Sequence, residues 1–340
     1  MTGRKDAGAG GAVIPSSAEE LDELIENGVR EVFSSESYRD YMRTMSQFHS
    51  YSFRNTLLIL KQRPGATVVA GYEAWKRAGR QVQRGERGIK ILCPCRRTYE
   101  HEVVDEQTGQ AKVERRDFIS GFRVGHVFDL SQTEGEPLPT LARVLEFPVE
   151  RFAEVRDALV ASAPVPVSFA PTPAGTNGFF SRDSGGRIVV RDGMPQLQTL
   201  KTLTHEIAHS ILHCEGGVQQ DAPRGTKEVQ AESVAFAVCE RLGLDTSDYS
   251  FGYIAMWAED KGLEELKSSL EVIQATADAI LSKIDPALGV DSRGPKSDLP
   301  LPKREREKQR AAPVQAKEPQ LASAPALPSP TAGSRKGHCR

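Results

Sequence analysis

The segment Thr202–His213, TLTHEIAHSILH, constrains this 340-residue chain more than any other stretch. Leu200, Leu203, Ile207, Ala208, Ile211 and Leu212 recur at the three- and four-residue spacing of one helical face, which calls for a helix buried along that face. Side chains four apart on a helix stand one above the other, so His205 and His209 both aim an imidazole nitrogen at one point while Glu206 projects beside it. That spacing suits a divalent metal with a base for its water. A catalytic zinc takes three protein ligands and keeps a fourth position open. The third ligand must come from another element, and TKEVQAESVAFAVCERLG offers Glu228, 19 residues after His209, with Glu232 one turn later. Either Glu228 binds the metal and Glu232 accepts a hydrogen bond from a ligand histidine, or Glu232 is itself the ligand. His213 continues the histidine ladder. The longer signature HExxHxxGxxH would need glycine and histidine where Leu212 and Glu215 stand, which excludes that class. A plain amphipathic helix with hydrogen-bonded histidines is the competing reading. The acidic helix downstream and the strand-like RIVVRD upstream weigh against it.

The remaining sequence divides unevenly. Residues 1–15 read as a flexible leader without the apolar core of a secretory signal, and no apolar run approaches the ~18–20 residues that span a bilayer. A cytoplasmic chain with no membrane partner is the expectation. Five scattered cysteines suit reduced thiols, and CPC at 93–95 lacks the second pair of a structural zinc site. Nine prolines and no aromatic residue follow position 285, a composition that cannot bury enough apolar surface to offset chain entropy, so 286–340 is expected to be disordered.

Two folded units are expected between these ends, residues 16–140 and 141–285, together of α+β class. In the first, Tyr38, Tyr41, Met42, Met45 and Phe48 mark one buried helical face, capped by Ser34 or Ser35. FRNTLLILKQRP predicts a second helix ended by Pro64, and TVVA, IKIL and FRVGHVFDL predict strands. In the second, helices are expected near 148–160, 196–214, 226–243 and 260–284, with a hairpin in NGFFSRDSGGRIVVRD. Its strand around Arg187–Arg191 is the candidate to pair with an extended substrate.

Charge is also uneven. Glu36–Glu100 holds 13 Lys/Arg against 5 Asp/Glu, a balance of +8 in a chain whose net charge is −2. The cations interleave with aromatic residues, the combination single-stranded nucleic acid needs: charges for phosphates and rings for stacking bases. Tyr51, Phe53, Arg54, Asn55, Trp75, Lys76, Arg77, Arg80, Arg84, Arg87 and Lys90 are the candidate contacts. A solvated basic surface without a partner is the alternative.

Two resemblances add to these readings. YSFRNTLLILKQRPGATVVAGYEAWKRAGRQVQRGERGIKILCP with FRVGHVFDLSQTEGEPLP resembles the N-terminal domain of ArdC-type antirestriction proteins. This implies single-stranded DNA binding, protection of mobile DNA from restriction, and a metallopeptidase domain to follow. HEIAHSILH with EVQAESVAFA resembles the ImmA/IrrE zinc metallopeptidases and, more widely, the gluzincins. It implies a mainly helical zincin-like domain with a small β-hairpin or sheet, Zn2+ as cofactor, Glu228 as third ligand and Glu206 as catalytic base. A protein substrate, either a repressor or a restriction component, is the partner implied for such a peptidase.

Overall fold

Apolar periodicity becomes three packed N-terminal helices. The computed structural model describes residues 18–104, 111–136, 151–244, 246 and 251–289. The expected leader, the unit boundary near residue 140 and the tail beyond residue 289 lie outside them. Helix α1 (Ala18–Val32) buries Leu21, Ile25, Val29 and Val32, spaced four, four and three. Helix α2 (Ser35–Gln47) buries Tyr38, Tyr41, Met42 and Met45 completely, the face expected from sequence. Its N-cap is Ser34, but that hydroxyl donates back to the Glu31 carbonyl instead of capping the helix. Helix α3 (Phe53–Gln62) starts at Ser52, whose side chain accepts from the Asn55 amide, and stops two residues before Pro64.

A mixed β-region follows. It contains β1 (Val69–Ala70), helix α4 (Tyr72–Arg77), β2 (Arg80–Val82), β3 (Ile89–Val104), β4 (Ala111–Asp129) and β5 (Thr133–Gly135). The order β1–β4–β3 forms one antiparallel sheet, and β2 with β5 forms a second. The β3–β4 pair runs far beyond the predicted strands IKIL and FRVGHVFDL, as a two-stranded ribbon broken by a register shift at Cys95/Arg96.

Asparagine and glutamine side chains splice α3 onto this sheet. The Asn55 amide donates to the Leu92 carbonyl at 2.9 Å and accepts from the Leu92 N–H at 2.8 Å, and Gln62 repeats the arrangement at Lys90. At the far end, Asp129 accepts from the N–H groups of Thr67, Val68 and Ser131. Gln132 closes a capping box with it and reaches the Arg87 carbonyl. Despite its burial, these donors hold the Asp129 carboxyl below its ordinary value.

The C-terminal elements are α5 (Phe152–Ser162), β6 (Val167–Ala170), β7 (Gly178–Ser181), β8 (Arg187–Arg191), α6 (Gln196–Leu212), α7 (Arg224–Arg241), α8 (Ile254–Glu259) and α9 (Leu263–Ala287). The predicted hairpin forms between β7 and β8, while β6 pairs with β8 in parallel. Strand β8 therefore lies between two neighbours, so the substrate-pairing role expected of Arg187–Arg191 is corrected: both its edges are taken. Strand β7 is the edge beside α6. Helix α9 runs one residue past Pro286, beyond the expected end at 284.

With nine α-helices and three small sheets among the described residues, the class is α+β. One hydrophobic core joins α1–α3 to α5–α9. Polar contacts tie the same elements: Tyr38 and Ser233 share a 2.6 Å hydroxyl bond, and Gln274 donates to the Phe48 and His49 carbonyls. None of the helices described is long and apolar enough to cross a membrane.

Candidate metal centre and nucleic-acid surface

Helices α6 and α7 pack side by side and place the candidate ligands together. His205 Nε2 and His209 Nε2 are 3.0 Å apart, and Glu228 Oε2 lies 3.6 Å from the first and 3.7 Å from the second. Three ligands at ~2.0–2.2 Å from a tetrahedral zinc stand about 3.3–3.6 Å from one another, so the triangle fits such an ion. Two imidazoles and one carboxylate also form a zinc-type donor set. Three lone-pair-bearing atoms this close repel unless a cation lies among them. A proton can serve in place of a metal: burial disfavours charge on His205, but Glu228 and Glu232 overcome it and lift the ring to about 9. The two histidine rings beside it, 3.6 and 3.7 Å away, in turn hold Glu228 well below the usual carboxylate range.

The two glutamates play different parts in this arrangement. Glu228 Oε2 faces the Nε2 atoms, whereas Glu232 Oε2 sits 3.3 Å from Nδ1 of His205, on the other side of that ring. Glu206 is buried, which raises its pKa, and it accepts a hydrogen bond from the Phe180 backbone on β7. His213 is buried too, and burial lowers its pKa to about 4.

A cleft of about 460 Å³ opens beside these groups, bounded by the loop at Gly175–Asn177 and by Gly178, Thr202, His205, Glu206 and Glu232. Gly178 is needed for the close fit of β7 on α6. A Cβ there would lie 2.6 Å from Thr202 Cγ2 and 3.1 Å from the Val189 carbonyl oxygen. Sequence reasoning missed Gly178, Thr202 and Gln230, which lie within the quoted segments but carry no metal-ligating or acid–base group. Tyr253 was missed as well; burial and the nearby charges of Glu232 and Glu228 raise its pKa to about 12.

The candidate nucleic-acid contacts are split by burial. Trp75 is 0% exposed and its indole N–H donates to the Phe128 carbonyl; Phe53 is also core, and both ends of the Asn55 amide are used by Leu92. These three assignments are corrected: rings and amides facing the interior cannot meet bases. The Arg80 guanidinium is spent on Thr133, Gly135 and Glu136 across the β2–β5 pair. Tyr51 is half-buried, edge-on to Phe48, with its hydroxyl 3.4 Å from the Val69 carbonyl. Lys76, Arg77, Arg84 and Arg87 are exposed, and Arg54 and Lys90 half-exposed.

Exposed rings lie elsewhere. Tyr99 and Phe118 form an edge-to-face pair at 5.7 Å on the β3–β4 ribbon, and Phe122, four residues farther along β4, is 53% exposed. Arg96, Arg97 and Arg123 stand exposed on the same ribbon.

The spliced α3 and the β-ribbon lie in a segment with a known relative. Residues 16–128 match the N-terminal domain of anti-restriction factor ArdC. An uncharacterized protein of Bacillus anthracis is 27% identical over 301 residues, covering 78% of this chain; the chain spans about half the length of that relative. Among solved structures, the metal-free crystal structure of the antirestriction ArdC protein from the R388 plasmid is 19% identical, with a TM-score of 0.37, over 70% of this chain and 85% of that one. The Mn(II)-bound structure of the same protein is 17% identical, TM-score 0.37, over 68% and 84%.

Proposed function

We propose that this chain joins a single-stranded-DNA-binding N-terminal unit, residues 16–140, to a gluzincin-like zinc peptidase unit, residues 141–285, and acts in antirestriction. The observation that carries the peptidase reading is the convergence of His205, His209 and Glu228, with His205 and Glu206 both lining the adjoining cleft. When bound, zinc polarises a carbonyl and lowers the pKa of its water to about 7. Glu206, its pKa raised by burial, takes the proton from the attacking water on its carboxylate and returns it to the leaving amine. Edge strand β7 borders the cleft at Gly178, where an extended peptide can approach its backbone. Glu232 holds His205 from behind. A protein met on DNA, a repressor or restriction component, is the substrate class that fits the joined units.

The match to the ArdC N-terminal domain supports the DNA-binding half. Exposed Tyr99, Phe118 and Phe122 beside Arg96, Arg97 and Arg123 supply the stacking and phosphate groups that the buried Phe53 and Trp75 cannot.

Incubation with an unfolded protein substrate, with and without chelator, tests the peptidase. Cleavage that chelator abolishes and added zinc restores is expected; cleavage indifferent to chelator removes the metal from the mechanism. Binding of a labelled oligothymidine should weaken with salt at a log–log slope near −0.7 per phosphate contact. A salt-independent signal would rule out phosphate contacts.

A further inference from the structure

His213 is the member of the histidine ladder for which the metal centre has no direct use. It is not among the atoms that converge as ligands, yet it is only 2% exposed, and its ring is bonded at both nitrogens. Nδ1 lies 2.9 Å from Nδ1 of His209, and Nε2 lies 3.1 Å from Oε1 of Gln230, itself fully buried on α7. We propose that His213 is a positioning residue for the metal centre, fixing the tautomer and ring plane of His209 through a neutral imidazole that Gln230 fixes in turn. The inference rests on the metal reading above and adds to it a part no sequence motif assigns.

Four ring nitrogens and the Gln230 amide form one hydrogen-bonded chain. A histidine that offers its Nε2 lone pair to a metal carries its hydrogen on Nδ1. For His209 that N–H points at Nδ1 of His213, so His213 must accept there. A neutral imidazole that accepts at Nδ1 carries its hydrogen on Nε2, and that hydrogen meets Gln230 Oε1, an atom that only accepts. With the Gln230 amide oxygen toward His213, each bond dictates the next, and the arrangement of neutral rings that satisfies the chain leaves His209 Nε2 open toward Glu228. The opposite tautomer would place a hydrogen on Nε2, against His205 Nε2 at 3.0 Å, and would leave two hydrogen-free Nδ1 atoms facing each other.

The two ligand histidines are therefore held differently. His205 leans on Glu232, a charged group one-third exposed to solvent, and His209 leans on a neutral ring sealed in the core. The second support returns to α7, the helix that also carries Glu228, so the relay clamps the two ligand-bearing helices at a fixed distance.

Cobalt(II) titration of the full-length chain, read by its visible d–d absorption, separates this role from simple packing. His213→Leu keeps bulk but offers no acceptor, whereas His213→Asn places an amide oxygen near the position of Nδ1. The expected result is a 10–100-fold loss of cobalt affinity and an altered d–d spectrum in the leucine variant, with most of the loss recovered in the asparagine variant. Leucine and asparagine variants that both bind as the wild type does, whatever their thermal stability, would overturn the positioning role alone. A wild-type chain that takes up no cobalt would overturn the metal reading and this inference with it. A second measurement needs no variant: in the long-range 1H–15N spectrum of the zinc-loaded wild type, His213 should carry its hydrogen on Nε2 and His209 on Nδ1. His213 protonated at Nδ1 would overturn the proposal.

Discussion

The α6–α7 pair and the β3–β4 region both carry clusters of residues that sequence reading singled out, and they fared differently. On α6, His205, Glu206 and His209 stand where a four-residue helical spacing puts them, and α7 brings Glu228 and Glu232 to the same place. Around β3–β4, three of the chosen contacts, Phe53, Asn55 and Trp75, are turned into the interior, while the ribbon's own exposed rings, Tyr99, Phe118 and Phe122, were not among the chosen contacts. Spacing along one helix is local geometry, set by a 3.6-residue turn whatever the rest of the chain does. Whether an aromatic side chain faces water depends on what packs over it, and that is a property of the whole fold.

The largest expected effect tests the helical half of this contrast. Glu206→Gln should lower turnover by roughly 10²–10⁴-fold while leaving metal content unchanged. Retained activity would reduce the centre to a structural one. Next come the two glutamates. Glu228→Gln should weaken zinc binding more than Glu232→Gln, whose loss as a histidine partner is expected to cost about 10–100-fold in affinity. A reversed order, measured by competition with a chromophoric chelator, would make Glu232 the ligand.

The ribbon half breaks in the opposite way. Phe118→Ala with Phe122→Ala should reduce oligothymidine affinity by ~1–3 kcal/mol per ring while the protein stays folded. Trp75→Phe should instead lower thermal stability through loss of its bond to the Phe128 carbonyl, with affinity of the folded protein unchanged. If the tryptophan variant lost binding and the ribbon variant did not, the original assignment would be restored.

What was legible follows the same physical line. The faces of α2, α6 and α7, the helix stop before Pro64 and the β7–β8 hairpin were all readable, because each is written in a short periodic or turn signal. Pairing was not. RIVVR reads as a strand from its composition, but nothing in it says that β6 will cover the edge opposite β7. FDLSQ contributed to the ArdC resemblance without revealing its task. In the fold it is the Asp129–Gln132 staple that closes the sheet, a job visible only once Thr67 and Arg87 lie beside it. Gln274, on the last helix, was likewise silent: its amide satisfies the Phe48 and His49 carbonyls 225 residues and more away in sequence.

The smallest expected effect concerns that same junction between the N-terminal helices and α9. His49 is buried, its Nδ1 2.8 Å from Asp278 and its Nε2 3.6 Å from Asp285 Oδ2, the same oxygen that Arg241 approaches at 3.4 Å. Burial opposes charge on the ring, but the two carboxylates prevail over it and over Arg241, so its pKa is raised above the ordinary 6.5. A folded value above the unfolded one means that the charged ring stabilises fully below the unfolded pKa, and that this contribution fades as pH rises through the folded value. Thermal unfolding between about pH 5.5 and 9 should show the wild type losing its advantage over His49→Gln as pH increases. A difference that stays constant across that range would contradict the charge-based account.

The central claim is that two imidazoles of α6 and one carboxylate of α7 hold a single divalent ion. X-ray absorption on the zinc-loaded, full-length chain addresses it directly. One zinc per chain in a nitrogen and oxygen shell, containing two histidine rings and lost in His205→Ala with His209→Ala, is the predicted result. Sulfur scattering from Cys93 and Cys95, or equal zinc content in the double variant, would contradict it.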